Sequence, residues 1–205
     1  MATRENKEFE LQGINHLALT CRDMAKTVDF YTNVLGMPLI KTLDLPFGSG
    51  QHFFFDIGNG DSLAFFWFPD SPEKAVGVAA PSSLPGQGTL TTAHGAMNHV
   101  AFNVPRERIE EYREKLAARG IEVTEIMNHD DSPTQVSETM SDDVYVRSLY
   151  FFDPDGILLE FACWEREFDP EDARVAPATA EDAPRYLETR DRLIAEFIER
   201  AKQTE

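Results

Sequence analysis

The stretch Tyr150-Phe151-Phe152-Asp153-Pro154-Asp155-Gly156-Ile157-Leu158-Leu159-Glu160-Phe161 reads as a strand, a tight turn and a second strand. The aromatic residues before the turn suit a strand. Asp-Pro-Asp-Gly is turn chemistry, because proline presets φ and glycine tolerates a positive φ. The second strand carries one carboxylate, Glu160, in its middle. Burying a lone carboxylate is costly unless it is paired or bound to a metal, so Glu160 is expected either to face solvent or to meet a cationic partner.

The same pattern occurs twice in the chain. An Asn-His pair opens each half, at His16 and at His99, and a turn glycine precedes the last strand of each half, at Gly60 and at Gly156. Alternation, helical spacing and turn residues predict the order β-α-β-β-β in each half, and such a repeat predicts two similar modules packed together. The predicted elements are 14–20, 24–35, 37–45, 51–57 and 62–68 in the first half, and 97–104, 105–120, 121–128, 144–152 and 157–163 in the second.

Changes in composition mark the segments between and after the modules. The first module, 13–69, is followed by a linker at 70–96 that is rich in turn-forming residues, and the second module, 97–165, by an acidic tail at 166–205. A linker of this length permits the modules to pair within one chain or to exchange between two chains. Helical spacing in the tail predicts a C-terminal helix at about 182–202. Its apolar face is expected to pack on its own domain or in a dimer.

The composition limits the class of function. With 42% hydrophobic residues the chain can form a real core. A net charge of −17 argues against nucleic acid and against an anionic membrane as partner, because phosphate binding requires clustered Lys and Arg. No apolar run reaches the roughly 18 residues of a membrane helix, and the polar N-terminus does not resemble a signal peptide. Cys21 and Cys163 form no CxxC pair and are interpreted as buried thiols of a cytoplasmic protein.

Strand alternation places two imidazoles and one carboxylate on one face of the repeat. His16 and His99 share a face with small or polar groups, and Glu160 takes the position at which the first half has Ala64. Two histidines and one carboxylate match the three-ligand site that leaves coordination positions open for substrate or O₂, with Fe(II), Mn(II) or another divalent ion as the metal. The alternative is that His16 and His99 are unrelated core or surface histidines.

Aromatic residues are expected beside this set. Phe66 and Phe68 share a face with Ala64, and Phe54 lies in the neighbouring strand of the hairpin. They predict an apolar or aromatic substrate pocket, with ordinary core packing as the alternative. Arg147 is a candidate either for binding a substrate anion or for a surface ion pair.

Over about 13–165, both repeats and both turns resemble the vicinal oxygen chelate superfamily. This superfamily includes glyoxalase I, methylmalonyl-CoA epimerase, fosfomycin thiol transferases, bleomycin-resistance proteins and type I extradiol dioxygenases. The resemblance implies an α+β fold in which two βαβββ modules form a partly open, eight-stranded, barrel-like cup around a divalent metal, here with a C-terminal helix added. It also implies a small-molecule substrate and a homodimer.

The ligand set distinguishes branches of this superfamily. Glyoxalase I and the epimerase use four protein ligands, whereas Ala64 cannot coordinate a metal. The three ligands His16, His99 and Glu160 resemble those of the extradiol dioxygenases and the fosfomycin enzymes, with Fe(II) favoured and Mn(II), Zn(II) or Ni(II) as alternatives. The stretch that ends at Glu160 also resembles the C-terminal part of the extradiol signature. In that signature a tyrosine that matches Tyr150 contacts the substrate hydroxyl.

The chain departs from the extradiol pattern at one point. That pattern has an acid-base histidine shortly before the tyrosine stretch, where this chain has Ser141-Asp142-Asp143. Ring cleavage needs a positioned acid or base. His52, His94 and His129 are the candidates to replace the missing histidine, and His52 is predicted, with Tyr150, to be catalytic.

Three classes of function fit the sequence. The first is a metal-dependent enzyme that cleaves an aromatic ring in the extradiol manner. The second is a lyase, isomerase or thiol transferase that uses the same metal as a Lewis acid. The third is a metal-free, bleomycin-resistance-like protein that binds a small molecule, in which His16, His99 and Glu160 are hydrogen-bonding groups. The three-ligand set and Tyr150 favour the first class.

Overall fold

Eight strands and two α-helices occur among the described residues up to Glu167. The structure, a computed structural model, describes residues 14–46, 49–75, 77–88, 90–132, 134–169, 172, 175 and 177–202. In chain order the elements are β1 (His16–Thr20), α1 (Met24–Asp29), a π-helical turn (Phe30–Val34), β2 (Leu39–Asp44), β3 (Gln51–Gly58), β4 (Asp61–Trp67), β5 (Val100–Asn103), a 3-10 turn (Arg106–Arg108), α2 (Ile109–Ala118), β6 (Met127–His129), β7 (Val146–Phe152) and β8 (Leu158–Trp164).

The two halves form separate sheets with the same topology. The strand order is β1-β4-β3-β2 in the first sheet and β5-β8-β7-β6 in the second. The first strand of each half lies parallel to the last, and the other neighbours are antiparallel. No strand of one sheet pairs with a strand of the other in the described part of the chain. The α+β class and the two βαβββ units predicted from the sequence are confirmed.

One apolar core lies against both sheets. Leu63 and Phe65 of β4, together with Leu149 and Phe151 of β7 and Leu159 of β8, are fully buried in the same cluster. Side chains of both helices complete this cluster. Because successive side chains of a strand alternate between faces, the neighbours of these residues lie on the opposite face of each sheet.

Tyr31, in the π-helical turn of the first half, joins the two halves. Its ring packs against the rings of Phe55 and Phe65, at centroid distances of 5.4 and 4.9 Å. Its hydroxyl donates a 3.2 Å hydrogen bond to Asp153 in the turn between β7 and β8. Nearby, the guanidinium of Arg119 donates a 2.7 Å hydrogen bond to the carbonyl of Val34. The helix-bearing side of the first half is thus bound to the second half.

The strand predicted at 121–128 is the largest departure from the sequence analysis. Ile121, Val123 and Ile126 do pack against the core, which explains the strand-like pattern, but β6 comprises only Met127–His129. The backbone N–H of Tyr150 donates to the hydroxyl of Thr124 at 3.0 Å. A side chain therefore takes the place of a backbone acceptor, and the regular ladder does not extend through this segment.

The segment from Phe168 onward forms a second compact unit. Its main element is α3 (Ala183–Lys202), preceded by a 3-10 turn (Ala180–Asp182), so the predicted C-terminal helix is confirmed. The helix exposes large apolar side chains, among them Tyr186, Leu193 and Ile194. No helix among the described residues is long and apolar enough to cross a membrane.

Candidate functional site

The register of the strands gives Ala64 and Glu160 equivalent positions. Ala18 of β1 lies opposite Ala64 of β4, and Ala101 of β5 lies opposite Glu160 of β8. In β1, His16, Ala18 and Thr20 are exposed while Leu17 and Leu19 pack against the core. Each sheet therefore has an outer face, opposite the core, on which the histidine of that half lies.

Glu160 has the cationic partner that its burial requires. The residue is only 6% exposed, and its Oε2 lies 2.9 Å from Nε2 of His99, whose side chain is 38% exposed. The hydroxyl of Ser148 donates to Oε1 of Glu160 at 2.5 Å. Both carboxylate oxygens are thus hydrogen-bonded, as a buried carboxylate needs.

This pair shifts the pKa of both groups towards their charged forms. The hydrogen bond to Glu160 raises the pKa of His99, against an opposing effect of burial. Burial alone would raise the pKa of Glu160, but the hydrogen bonds from His99 and Ser148 hold it below its ordinary value. Both shifts favour a proton shared between the imidazole and the carboxylate, and a divalent cation can replace that proton.

An asparagine orients each strand histidine. Nδ1 of His16 lies 2.8 Å from Oδ1 of Asn15, and Nδ1 of His99 lies 2.9 Å from Oδ1 of Asn98. An amide oxygen only accepts hydrogen bonds, so Nδ1 carries the proton and Nε2 is the nitrogen available to a metal. The sequence analysis noticed the repeated Asn-His pair but assigned the asparagines no role.

His16 does not join His99 and Glu160. Its ring packs edge-on against Phe54 of β3, with 5.6 Å between the ring centroids. Among the residues that the structure describes, no three His, Cys, Asp or Glu side chains are grouped so that they could hold a metal ion. The predicted ligands thus occur as a pair on the second sheet and a single histidine on the first. His16 belongs to the first sheet, whereas Glu160 belongs to the second.

Tyr150 lies beside the His99–Glu160 pair and contacts a further histidine. Its hydroxyl is 3.4 Å from Nε2 of His129, and its ring meets that of His99 edge-on at 6.1 Å. Burial and the charge of Glu160 raise the pKa of the phenol well above its ordinary value, so Tyr150 stays protonated at neutral pH. His129 was one of three sequence candidates, and the strand prediction missed it by ending at residue 128.

His52 lies on the first sheet and not beside Tyr150. Its ring stacks on Phe66 at 3.6 Å and lies 4.3 Å from Phe54, while Phe66 stacks on Phe68 at 5.4 Å. Burial and the nearby His16 lower the pKa of His52, and its buried Nε2 has no hydrogen-bond partner among the described residues. The predicted pocket phenylalanines and His52 thus form an aromatic wall, which His16 contacts at Phe54.

The sequence analysis gave Arg147 two possible roles, binding a substrate anion or forming an ion pair. In the structure Arg147 forms ion pairs. Its guanidinium is bonded to Glu110 of α2 and lies 3.8 Å from Glu165. It therefore belongs to the helix side of the second sheet. A cavity of about 610 Å³ also lies away from the histidines, between the start of α1 and the β7–β8 turn, with Arg22, Trp67 and Asp155 in its lining.

The family model for the Glyoxalase/Bleomycin resistance protein/Dioxygenase superfamily matches residues 13–161. The putative ring-cleaving dioxygenase MhqE of Bacillus subtilis (strain 168) is 30% identical over 121 residues, which are 57% of this chain and 35% of that protein. The chain thus spans about a third of the length of that relative.

Two further comparisons cover more of the matched protein. Metallothiol transferase FosB of Lysinibacillus sphaericus (strain C3-41) is 25% identical over 151 residues, which are 74% of this chain and 82% of that protein. The solved structure of SMU.1112c has 25% identity and a TM-score of 0.51, and the match covers 75% of this chain and 99% of that one. Members of the superfamily usually use a divalent metal. From residue 13 to residue 161 this chain belongs to the Glyoxalase/Bleomycin resistance protein/Dioxygenase superfamily, as its sequence resemblance indicated.

Proposed function

We propose that this protein is a metal-dependent enzyme that acts on a small substrate chelating through two oxygens, with extradiol-type ring cleavage of an aromatic diol favoured. The observation that carries the proposal is made on the outer face of the second sheet, where the His99–Glu160 pair lies beside the Tyr150–His129 contact. It joins a candidate metal-ligand pair to a candidate proton-transfer pair.

The donor atoms of the pair suit a divalent cation. One imidazole nitrogen and one carboxylate oxygen lie 2.9 Å apart, and Asn98 and Ser148 hold the two groups in place by hydrogen bonds to their other atoms. His99 and Glu160 would hold a divalent metal, which as Fe(II) would supply the redox chemistry that O₂ requires.

Tyr150 and His129 supply the proton transfers. Because the phenol stays protonated at neutral pH, Tyr150 donates a hydrogen bond to a substrate oxygen. His129, at 3.4 Å from the phenol oxygen, accepts a proton through it or returns one. This pair takes the role of the acid-base histidine of the extradiol signature, which this chain replaces by Ser141-Asp142-Asp143.

Two features of the chain favour an aromatic substrate over a phosphonate. The aromatic wall of Phe54, Phe66 and Phe68 offers flat apolar surfaces for stacking. Arg147, the cation considered for a substrate anion, is paired with Glu110 and Glu165 on the helix side of its sheet. A fosfomycin-type thiol transfer, the alternative suggested by the similarity to FosB, would need a basic pocket instead.

The test is metal analysis followed by O₂ uptake. Untagged protein is purified without oxygen, loaded with Fe(II), and offered a panel of catechols and hydroquinones. We expect about one metal per site and O₂ consumption that Tyr150→Phe abolishes and His94→Ala, a change at an exposed linker histidine, leaves intact. Turnover with Zn(II) in the absence of O₂ would contradict ring cleavage and would favour a reaction in which the metal acts as a Lewis acid. Failure to take up any metal would contradict the proposal of a metal-dependent enzyme and would favour the metal-free protein that binds a small molecule.

A further inference from the structure

Part of the linker between the two halves is buried. Ala80 and Leu84 are only 8% and 2% exposed, and Pro81 and Pro85 beside them are also buried. Proline fixes φ and thereby stiffens this part of the backbone. Connecting segments usually run over the protein surface, and long ones without secondary structure are often functional. Residues 80–88 are therefore a packed part of the structure and not a loose tether.

Leu84 packs on the outer face of the second sheet. It forms a buried cluster with Tyr150 of β7 and Leu158 of β8. Tyr150 lies directly opposite Glu160 in the pairing of β7 with β8, and residues directly opposite each other share a face. Leu158 lies two residues before Glu160 and shares that face as well. Leu84 comes from outside this sheet, so the linker covers part of the face on which Glu160 lies.

The linker contacts the candidate site at a second place. The carbonyl of Leu90 accepts a hydrogen bond of 2.7 Å from Nδ2 of Asn98. The oxygen of the same asparagine side chain orients the imidazole of His99. Linker residues are thus packed against Tyr150 and joined, through Asn98, to the candidate ligand His99.

The groups on this face differ in exposure. The side chain of His99 is 38% exposed, whereas Tyr150 and Leu158 are only 8% and 1% exposed. The open part of the face therefore lies at His99, and the covered part lies where Leu84 packs. A substrate that binds at His99 and extends to the phenol of Tyr150 must lie against the linker.

We propose that residues 80–88 form one side of the substrate site, and that Leu84 is a specificity-determining residue which limits the size of the ring substituent beside Tyr150. The inference rests on the proposed function and narrows its substrate class. The substrate is an aromatic diol that carries hydrogen or a small apolar group on the side next to the linker. Leu84 excludes a bulky group by its volume, and it offers no hydrogen-bond partner to a polar one.

The test is a series of substrates of increasing size. Catechol and catechols that carry a methyl, an isopropyl or a tert-butyl group are titrated calorimetrically into Zn(II)-loaded protein, which measures binding without O₂ chemistry. The kcat/KM of each compound is then measured with Fe(II)-loaded protein. Leu84→Ala removes about three carbon atoms from the site. We expect it to raise the affinity for the isopropyl and tert-butyl compounds, relative to catechol, about 10-fold or more. Leu84→Phe should shift the preference in the opposite direction.

Val78→Ala is the matched control, because Val78 lies in the same linker but is 51% exposed. It should leave the order of affinities unchanged. Circular dichroism shows whether each variant folds. Leu84→Val, a milder truncation that should shift the preference in the same direction by a smaller factor, replaces Leu84→Ala if that variant does not fold.

The outcomes separate this inference from the proposed function. Variants of Leu84 that all keep the wild-type order of affinities would overturn the role of Leu84 and leave the proposed function intact. A shifted preference without any O₂ consumption would confirm the role of Leu84 and overturn ring cleavage. A wild-type protein that binds no aromatic diol would overturn both.

Discussion

The phenol of Tyr31, in the first half of the chain, donates a hydrogen bond of 3.2 Å to the carboxylate of Asp153 in the second half. Oδ1 of Asp153 also accepts the backbone N–H groups of Asp155 and Ile157, at 2.9 and 2.7 Å. One side chain therefore fixes the β7–β8 turn and ties it to the first half. Burial, opposed by these hydrogen bonds, raises the pKa of Asp153 to about 6.

This raised pKa predicts a pH-dependent loss of stability. The folded state binds the proton of Asp153 more tightly than the unfolded state, whose carboxyl titrates near 3.8. The contribution of Asp153 to the free energy of unfolding is therefore greatest below pH 3.8 and decreases as the pH rises to about 6. At 1.36 kcal/mol per pKa unit, the decrease is at most about 3 kcal/mol.

Asp153→Asn is expected to remove this dependence. An amide oxygen still accepts both backbone N–H groups, and its NH₂ group can donate to the hydroxyl of Tyr31. The difference in unfolding free energy between the wild type and the variant should fall by about 1–3 kcal/mol between pH 4 and pH 7, as measured by urea denaturation. Asp142→Asn, an exposed loop change, is the control. A difference that stays constant over this range would contradict the prediction.

Ser148→Ala should weaken both metal binding and the fold. The change leaves Oε1 of Glu160 without its 2.5 Å hydrogen bond, which is expected to cost about 1–3 kcal/mol of stability. Because Ser148 also orients the carboxylate, metal affinity should fall about 10- to 100-fold, measured by competition with a chelator. Ser141→Ala in the exposed loop is the matched control. Unchanged affinity would show that Glu160 does not bind the metal.

The sequence predicted which residues share a face, because alternation along a strand is a local property. His16, His99 and Glu160 lie on outer faces as expected, and the β7–β8 turn sets the register that pairs Tyr150 with Glu160. The same register makes Ser148 a diagonal neighbour of Glu160, so this hydroxyl could have been found from the hairpin alone. How the two halves pack against each other was not predictable, because their packing depends on contacts distant in sequence, such as that of Tyr31 with Asp153.

The two asparagines offer a direct comparison of the proposed histidine ligands. Asn15→Ala and Asn98→Ala each remove the acceptor that orients one imidazole. If His16 and His99 both bind the metal, both changes should lower metal affinity about 10- to 100-fold. Asn33→Ala, which removes a hydrogen bond to Asp29 on the helix surface, should have no effect. A loss with Asn98→Ala alone would exclude His16 as a ligand.

His129→Gln should separate proton transfer from metal binding. The glutamine removes the titrating group within 3.4 Å of the Tyr150 phenol but touches neither His99 nor Glu160. If the pair acts as an acid-base relay, kcat should fall about 10²- to 10⁴-fold, while the metal content stays at the wild-type level and KM changes little. A variant that loses metal and activity together would instead show that His129 supports the ligands, and one that keeps full activity would remove it from the reaction.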